Sequence, residues 1–138
     1  MLFRSRPWAE AGFDCVCVDL QHEGMRTDGR ITYVEADIKR YLPPRCDYQI
    51  VFAFPPCTDL ANSGNRWKAD KGLDALGDAI NTVAACRRIC EWSDAPYMLE
   101  NPVGSLSTYW REPDYACHPW HFGKLEQKLT CLWTGGAL

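Results

Sequence analysis

Residues 48–67 read YQIVFAFPPCTDLANSGNRW, the stretch that most constrains the fold. The stretch opens on Ile50-Val51-Phe52-Ala53-Phe54, a β-branched and aromatic run long enough for a buried strand and too short for a typical helix. Pro55 and Pro56 cannot donate to a sheet ladder, so they end the strand and stiffen the turn that carries Cys57. A thiol is thereby presented at a strand's carboxyl end, where open α/β sheets place their ligand crevices. The small, polar residues 58–65 read as a loop able to move over whatever binds there. Cysteine is more often a packing residue than a reactive one, and this chain has eight. The Pro-Pro-Cys setting is what singles out Cys57.

Working back toward the amino terminus, residues 1–11 form a short basic-aromatic segment in which Ser5, Pro7 and Gly12 mark the start and stop of a stubby helix. Residues 13–20 come next, with Cys15-Val16-Cys17-Val18 as a buried strand ending in Asp19. Residues 21–30 are polar, and Gly24 and Asp28-Gly29 mark turns. Residues 31–36 are a further strand, which Asp37 ends while capping a brief helical turn over 38–41. Pro43-Pro44 then breaks the chain before the central strand at residues 50–54.

Working forward, Leu73, Leu76, Ile80, Val83, Cys86 and Cys90 recur at spacings of three or four, which predicts a helix with one apolar stripe against a sheet. Cys86 and Cys90 are thereby core-facing. Their CxxxC spacing lacks a second cysteine pair or a suitably placed histidine pair, so no metal site is assigned; His118 and His121 near Cys117 read instead as part of a packed turn with Pro119. Asp94-Ala95-Pro96 ends the helix, and Tyr97-Met98-Leu99 is a short strand presenting Glu100. Residues 104–114 read as irregular, with Tyr109 and Trp110 available for stacking on a base or for packing. Residues 127–133 lead from a basic residue into a last strand.

At 138 residues the expectation is one α/β domain, 1–138, large enough for a real core. No apolar run approaches a membrane span and the amino terminus has no signal-peptide pattern, which points to a soluble, cytoplasmic protein with reduced thiols. A net charge of −3 provides no global attraction for nucleic acid, so any DNA contact has to be local.

Three strings carry a family resemblance: PPCTDLANSGNRW, LENPVGSLSTYWREPDY and the late TCLW. Pro-Pro-Cys after an apolar strand resembles the nucleophile motif of the cytosine-C5 DNA methyltransferases, and Glu100-Asn101-Pro102-Val103 is similar to their Glu-Asn-Val motif, with Pro102 where Val is usual. The three strings look most like compact, phage-type members, described as DNA cytosine methyltransferase-like proteins, and the resemblance covers most of the chain but not all of it. The resemblance implies a Rossmann-like, S-adenosylmethionine-dependent methyltransferase domain, located in a bacterial or phage-infected host cell. The domain is incomplete at the N-terminus, because the family's first strand and its glycine-rich loop have no counterpart and no glycine precedes Gly12.

The same resemblance implies roles. Cys57 attacks C6 of the target cytosine, Glu100 engages N3, and Arg66 neutralises the DNA backbone or the thiolate. Asp19 holds the ribose of S-adenosylmethionine, Asp37 contacts its adenine amino group, and Pro56 belongs with them on the cofactor side. Asn62, Ser63, Asn101 and Lys128 fall to the DNA substrate, and Gln127-Lys128 echoes the family's Gln-x-Arg-x-Arg motif. The chemistry needs these residue types. Carbon 5 of cytosine is a poor nucleophile until a thiolate adds at C6, and a carboxyl group at N3 stabilises the adduct by sharing a proton. The family's target recognition domain has no counterpart here, so a partner chain or a missing N-terminal segment is expected to assist base extrusion and reading. Three alternatives stay open: a catalytically inactive DNA-binding remnant, a thymidylate-synthase-like enzyme of free pyrimidine nucleotides, and a zinc-binding structural module.

Overall fold

The computed structural model describes residues 5–61, 68–123 and 128–136. Contacts divide the chain into two units, Met1–Leu42 and Pro43–Leu138. The protein is mixed α/β, with two mixed sheets and, among the described residues, three α-helices.

In the first unit, α1 (Arg6–Glu10) begins with Pro7 in its first turn, where the missing N–H has no partner to lose, and Gly12 reverses the chain after it at φ 97°. Three strands come after it, β1 (Cys15–Asp19), β2 (Met25–Asp28) and β3 (Ile31–Glu35), in the order β1-β3-β2. β1 runs parallel to β3 and β2 antiparallel to it. β2 falls where the sequence suggests only turns. Its four residues Met-Arg-Thr-Asp are all exposed, so no apolar alternation marks it; the pairing is set by the tight reversal between Asp28 and Ile31, with Gly29 at φ 58°. The expectation of a buried β1 is corrected. With β3 as its one sheet neighbour among the described residues, β1 is half-buried and Val16 is 54 % exposed, while Ile31 and Tyr33 of β3 form the unit's buried positions.

The second unit holds β4 (Val51–Ala53), α2 (Lys68–Trp92), β5 (Tyr97–Pro102), α3 (Leu106–Tyr109), β6 (Tyr115–Cys117) and β7 (Thr130–Gly135). Its sheet has the order β4-β5-β7-β6, with β4 and β5 parallel and β7 antiparallel to both β5 and β6. β4 is shorter than the apolar run suggests and stands at the end of this order rather than at its centre. β5 is its sheet neighbour among the described residues, which leaves Ile50 outside the ladder and exposed. β5 is longer than expected, because β7 pairs beside it as far as Pro102 opposite Thr130.

α2 is interrupted at Gly72, whose φ of 75° no helical residue adopts. The expected stripe, Leu73 to Cys90, lies wholly beyond this break, but only its later part is covered. Leu73 is 84 % exposed, and burial sets in at Val83, Ala85, Cys86, Ile89 and Cys90, where the helix packs on β4 and β5. Leu99 of β5 stands opposite Trp133 of β7, and both are buried. Trp133 stacks on Trp110 with ring centroids 5.8 Å apart and donates its indole N–H to the Arg111 carbonyl at 2.8 Å. Trp110 is therefore packing, while Tyr109 is exposed. Arg111 makes two bonds to the Asp114 carboxylate, which also accepts the Thr134 backbone N–H at 2.7 Å; these bonds hold the Asp114 pKa down to about 2. No helix among the described residues is long and apolar enough to cross a membrane.

Candidate active site

The second sheet brings the two sequence motifs together. Val51, Phe52 and Ala53 stand opposite Tyr97, Met98 and Leu99 in parallel register. Carried one and two steps past Ala53, this register would bring Phe54 level with Glu100 and Pro55 with Asn101. That continuation is anchored by a hydrogen bond from Asn101 Nδ2 to the Pro55 carbonyl oxygen at 3.2 Å, with Asn101 fully buried. The Pro-Pro-Cys turn therefore leaves the sheet beside the Glu-Asn-Pro end of β5.

The turn itself is built on Cys57. Its carbonyl oxygen accepts the backbone N–H groups of Leu60 at 3.1 Å and Ala61 at 2.8 Å, which folds 57–61 into one compact loop. Leu60 and Ala61 are buried, and they are tied to the chain leaving β5: Ser105 N–H donates to the Leu60 carbonyl at 2.9 Å, and Ala61 bridges Gly104. Gly104 is required by this approach, since a Cβ there would run into the Leu60 carbonyl. The carbonyls of Pro55, Cys57 and Leu60 are thus all used in fixing one loop. Cys57 is half-buried, at the loop's start.

Glu100 is half-buried on the face of β5 opposite Leu99 and Asn101, as the alternation along Tyr97–Pro102 requires. A thiol and a carboxyl group on adjacent strand ends are thereby held by backbone that has little freedom. Asn101 does not sit on the surface. Its amide lies in the core, across from Cys131, and its Oδ1 is buried with no hydrogen-bond partner among the described residues. The period-2 pattern Tyr97, Leu99, Asn101 already places it on the core face, but nothing local in the sequence signals its bond to Pro55.

The other thiols are poor nucleophiles or lie elsewhere. Burial pushes Cys86 up to about 11 and Cys90 up to about 12, and burial, with Cys117 and nearby carboxylates adding, raises Cys131. All eight cysteines are free thiols. Among the described residues, no three His, Cys, Asp or Glu side chains converge in a way that would hold a metal ion.

Pro56 is exposed, next to Cys57, and Lys128 is exposed just before β7. In the first unit, Asp19 and Asp37 lie at the carboxyl ends of the parallel strands β1 and β3. Each accepts a local backbone N–H through Oδ1 at 2.9 Å, from Gln21 and from Lys39 respectively, and the Asp37 carbonyl accepts Arg40 and Tyr41 in the capped turn the sequence suggests. Arg66, Asn62, Ser63 and Gln127 lie outside the described residues. An open cavity of about 430 Å³ lined by Cys90, Glu91, Asp94, Ala95, Tyr97 and Gly136 lies at the opposite, amino-terminal end of β5, remote from Cys57.

No protein-family model, no curated protein and no solved structure matches this chain.

Proposed function

We propose that this chain is a Rossmann-like, S-adenosylmethionine-dependent methyltransferase domain that methylates carbon 5 of cytosine in DNA through a covalent adduct to Cys57. The observation that supports it is the Asn101–Pro55 hydrogen bond, which sets the Pro-Pro-Cys turn beside the strand end carrying Glu100. This reaction class needs a thiol and a carboxyl group at once, and the two motifs that carry them leave neighbouring strands at one end of the sheet.

In this reading the Cys57 thiolate adds to C6 of the cytosine ring, and Glu100 stabilises the adduct by sharing a proton with N3. Electron density released to C5 then forms the bond to the transferred methyl group. Loss of the C5 proton to a base and expulsion of the Cys57 sulfur restore the aromatic ring. S-adenosylmethionine, when bound, would supply the methyl group as a sulfonium electrophile, its S–CH3 bond breaking to leave a neutral thioether. Asp19 and Asp37 would hold that ligand: they lie at the carboxyl ends of the parallel strands β1 and β3, where carboxylates bind nucleotide ribose in folds of this kind.

The test is transfer of a labelled methyl group from S-adenosylmethionine to DNA by the full chain. Cys57→Ser should reduce transfer to background, and Glu100→Gln should lower the rate by about 10²- to 10⁴-fold, the usual scale for a proton-sharing group. Full transfer by Cys57→Ser would sink the mechanism.

A further inference from the structure

The edge of the second sheet that carries Cys57 also carries a second group of side chains. β5 and β6 both pair antiparallel with β7, so β6 runs parallel to β4 and β5 and ends at the same edge. The 3-10 turn Pro119–Phe122 leaves β6 there. In it the Trp120 indole is 52 % exposed yet braced on two sides. The His118 ring stacks on it with centroids 5.6 Å apart and planes 24° apart, and the His121 ring meets it edge-on at 4.1 Å. A tryptophan held this firmly while half its surface stays in water is not spending that surface on the core.

Two further observations point to a polar, anionic ligand with a π face. Cys117 pairs with Thr130, and continuing that register outward brings the exposed Lys128 level with the turn. Residues 115–123, YACHPWHFG, carry no carboxylate to repel a phosphate. An exposed aromatic face combined with a nearby ammonium is the chemistry that binds single-stranded nucleic acid: bases stack and the backbone is neutralised.

We propose that His118, Trp120 and His121, with Lys128, form a stacking platform for an unpaired base of the DNA strand, a few nucleotides from the cytosine taken by Cys57. The proposal rests on the function proposed above. In the order β4-β5-β7-β6 three strand steps separate β6 from β4, which at 4.7–4.9 Å per step is about 14 Å. At about 3.4 Å of rise per nucleotide this corresponds to about four stacked nucleotides, and fewer where the strand is stretched. The platform would hold the strand beside the extruded cytosine without reading its sequence.

The experiment is fluorescence anisotropy of a labelled, mixed-sequence single-stranded 12-mer titrated with the full chain. Trp120→Ala should weaken binding about 5- to 150-fold, the loss of one base stack, while Trp120→Phe keeps most of the affinity. Lys128→Gln, which leaves the turn intact, should lower the slope of log affinity against log salt by about 0.7, the value for one phosphate contact on a single strand. Unchanged binding in a folded Trp120→Ala together with an unchanged salt slope in Lys128→Gln overturns the platform, as does absence of oligonucleotide binding by the wild type. Methyl transfer is read separately. Trp120-dependent binding without any transfer leaves the platform standing and removes the proposed function; transfer with Trp120-independent binding does the reverse.

Discussion

The side-chain amide of Asn101, buried at the end of β5, donates from Nδ2 to the carbonyl oxygen of Pro55 at 3.2 Å. The bond joins the two motifs from inside the core, where water cannot replace it. Asn101→Ala leaves the Pro55 carbonyl without its donor, and the expected destabilisation is about 1–3 kcal/mol. Urea unfolding gives that number. Under the proposed function, methyl transfer measured on the folded fraction should fall further than stability does, because the Cys57 loop loses its anchor. A variant as active and as stable as the wild type would show that the bond is incidental.

Gly104 offers an independent handle on the same loop. Its Cα faces the Leu60 carbonyl so closely that an added Cβ has to move backbone, not a flexible side chain. Gly104→Ala is expected to cost about 1–3 kcal/mol and to open the Ala61–Gly104 bridge. Hydrogen exchange of the Ser105 amide, bonded to Leu60 at 2.9 Å, should speed up well beyond the global change.

Asp114 makes stability depend on acid. Its bonds to Arg111 and Thr134 hold its carboxyl at about 2, below the ordinary 3.8, so its contribution is complete above about pH 4 and disappears as pH falls through about 2. Both partners of the Arg111–Asp114 pair are 36 % exposed, so solvent screening limits the effect to about 1 kcal/mol or less. The wild type should melt above Asp114→Asn at neutral pH, and the gap should close between pH 4 and pH 2. A gap that stays constant across that range would show that the carboxylate charge is not the cause.

Cysteine labelling sorts the eight thiols. With Cys86 near 11 and Cys90 near 12, their thiolate fractions at pH 8 are about one in a thousand and one in ten thousand. Iodoacetamide at pH 8 should modify the exposed Cys46 in the native protein and leave Cys86 and Cys90 intact until urea is added. Mass spectrometry of peptides reads the order. Early labelling of Cys86 or Cys90 would contradict the packing of α2 on the sheet.

The residues by themselves determined the features that local chemistry controls. An apolar run stopped by Pro55-Pro56 has few options other than a strand ending at a turn, and Asp37 at a strand end caps the helical turn over 38–41; both are found. Pattern alone also marked β3, β7 and the helix that ends before Pro96. It missed β2 and β6, because their exposed side chains show no alternation and their existence depends on a partner strand supplying backbone bonds. It began the apolar stripe of α2 at Leu73, which is exposed, since only packing on β4 and β5 decides which turns are covered.

Only the tertiary structure decided what Asn101 does. Its neighbour Pro55 lies 46 positions away in sequence, and no local propensity expresses a bond across that separation. The same holds for the approach of Gly104 to Leu60, and for the placing of Trp120 at the Cys57 edge, which depends on β6 running parallel to β4 through two antiparallel pairings with β7. Residue type sets which groups are available; strand order and register, fixed by non-local hydrogen bonds and burial, set which of them meet.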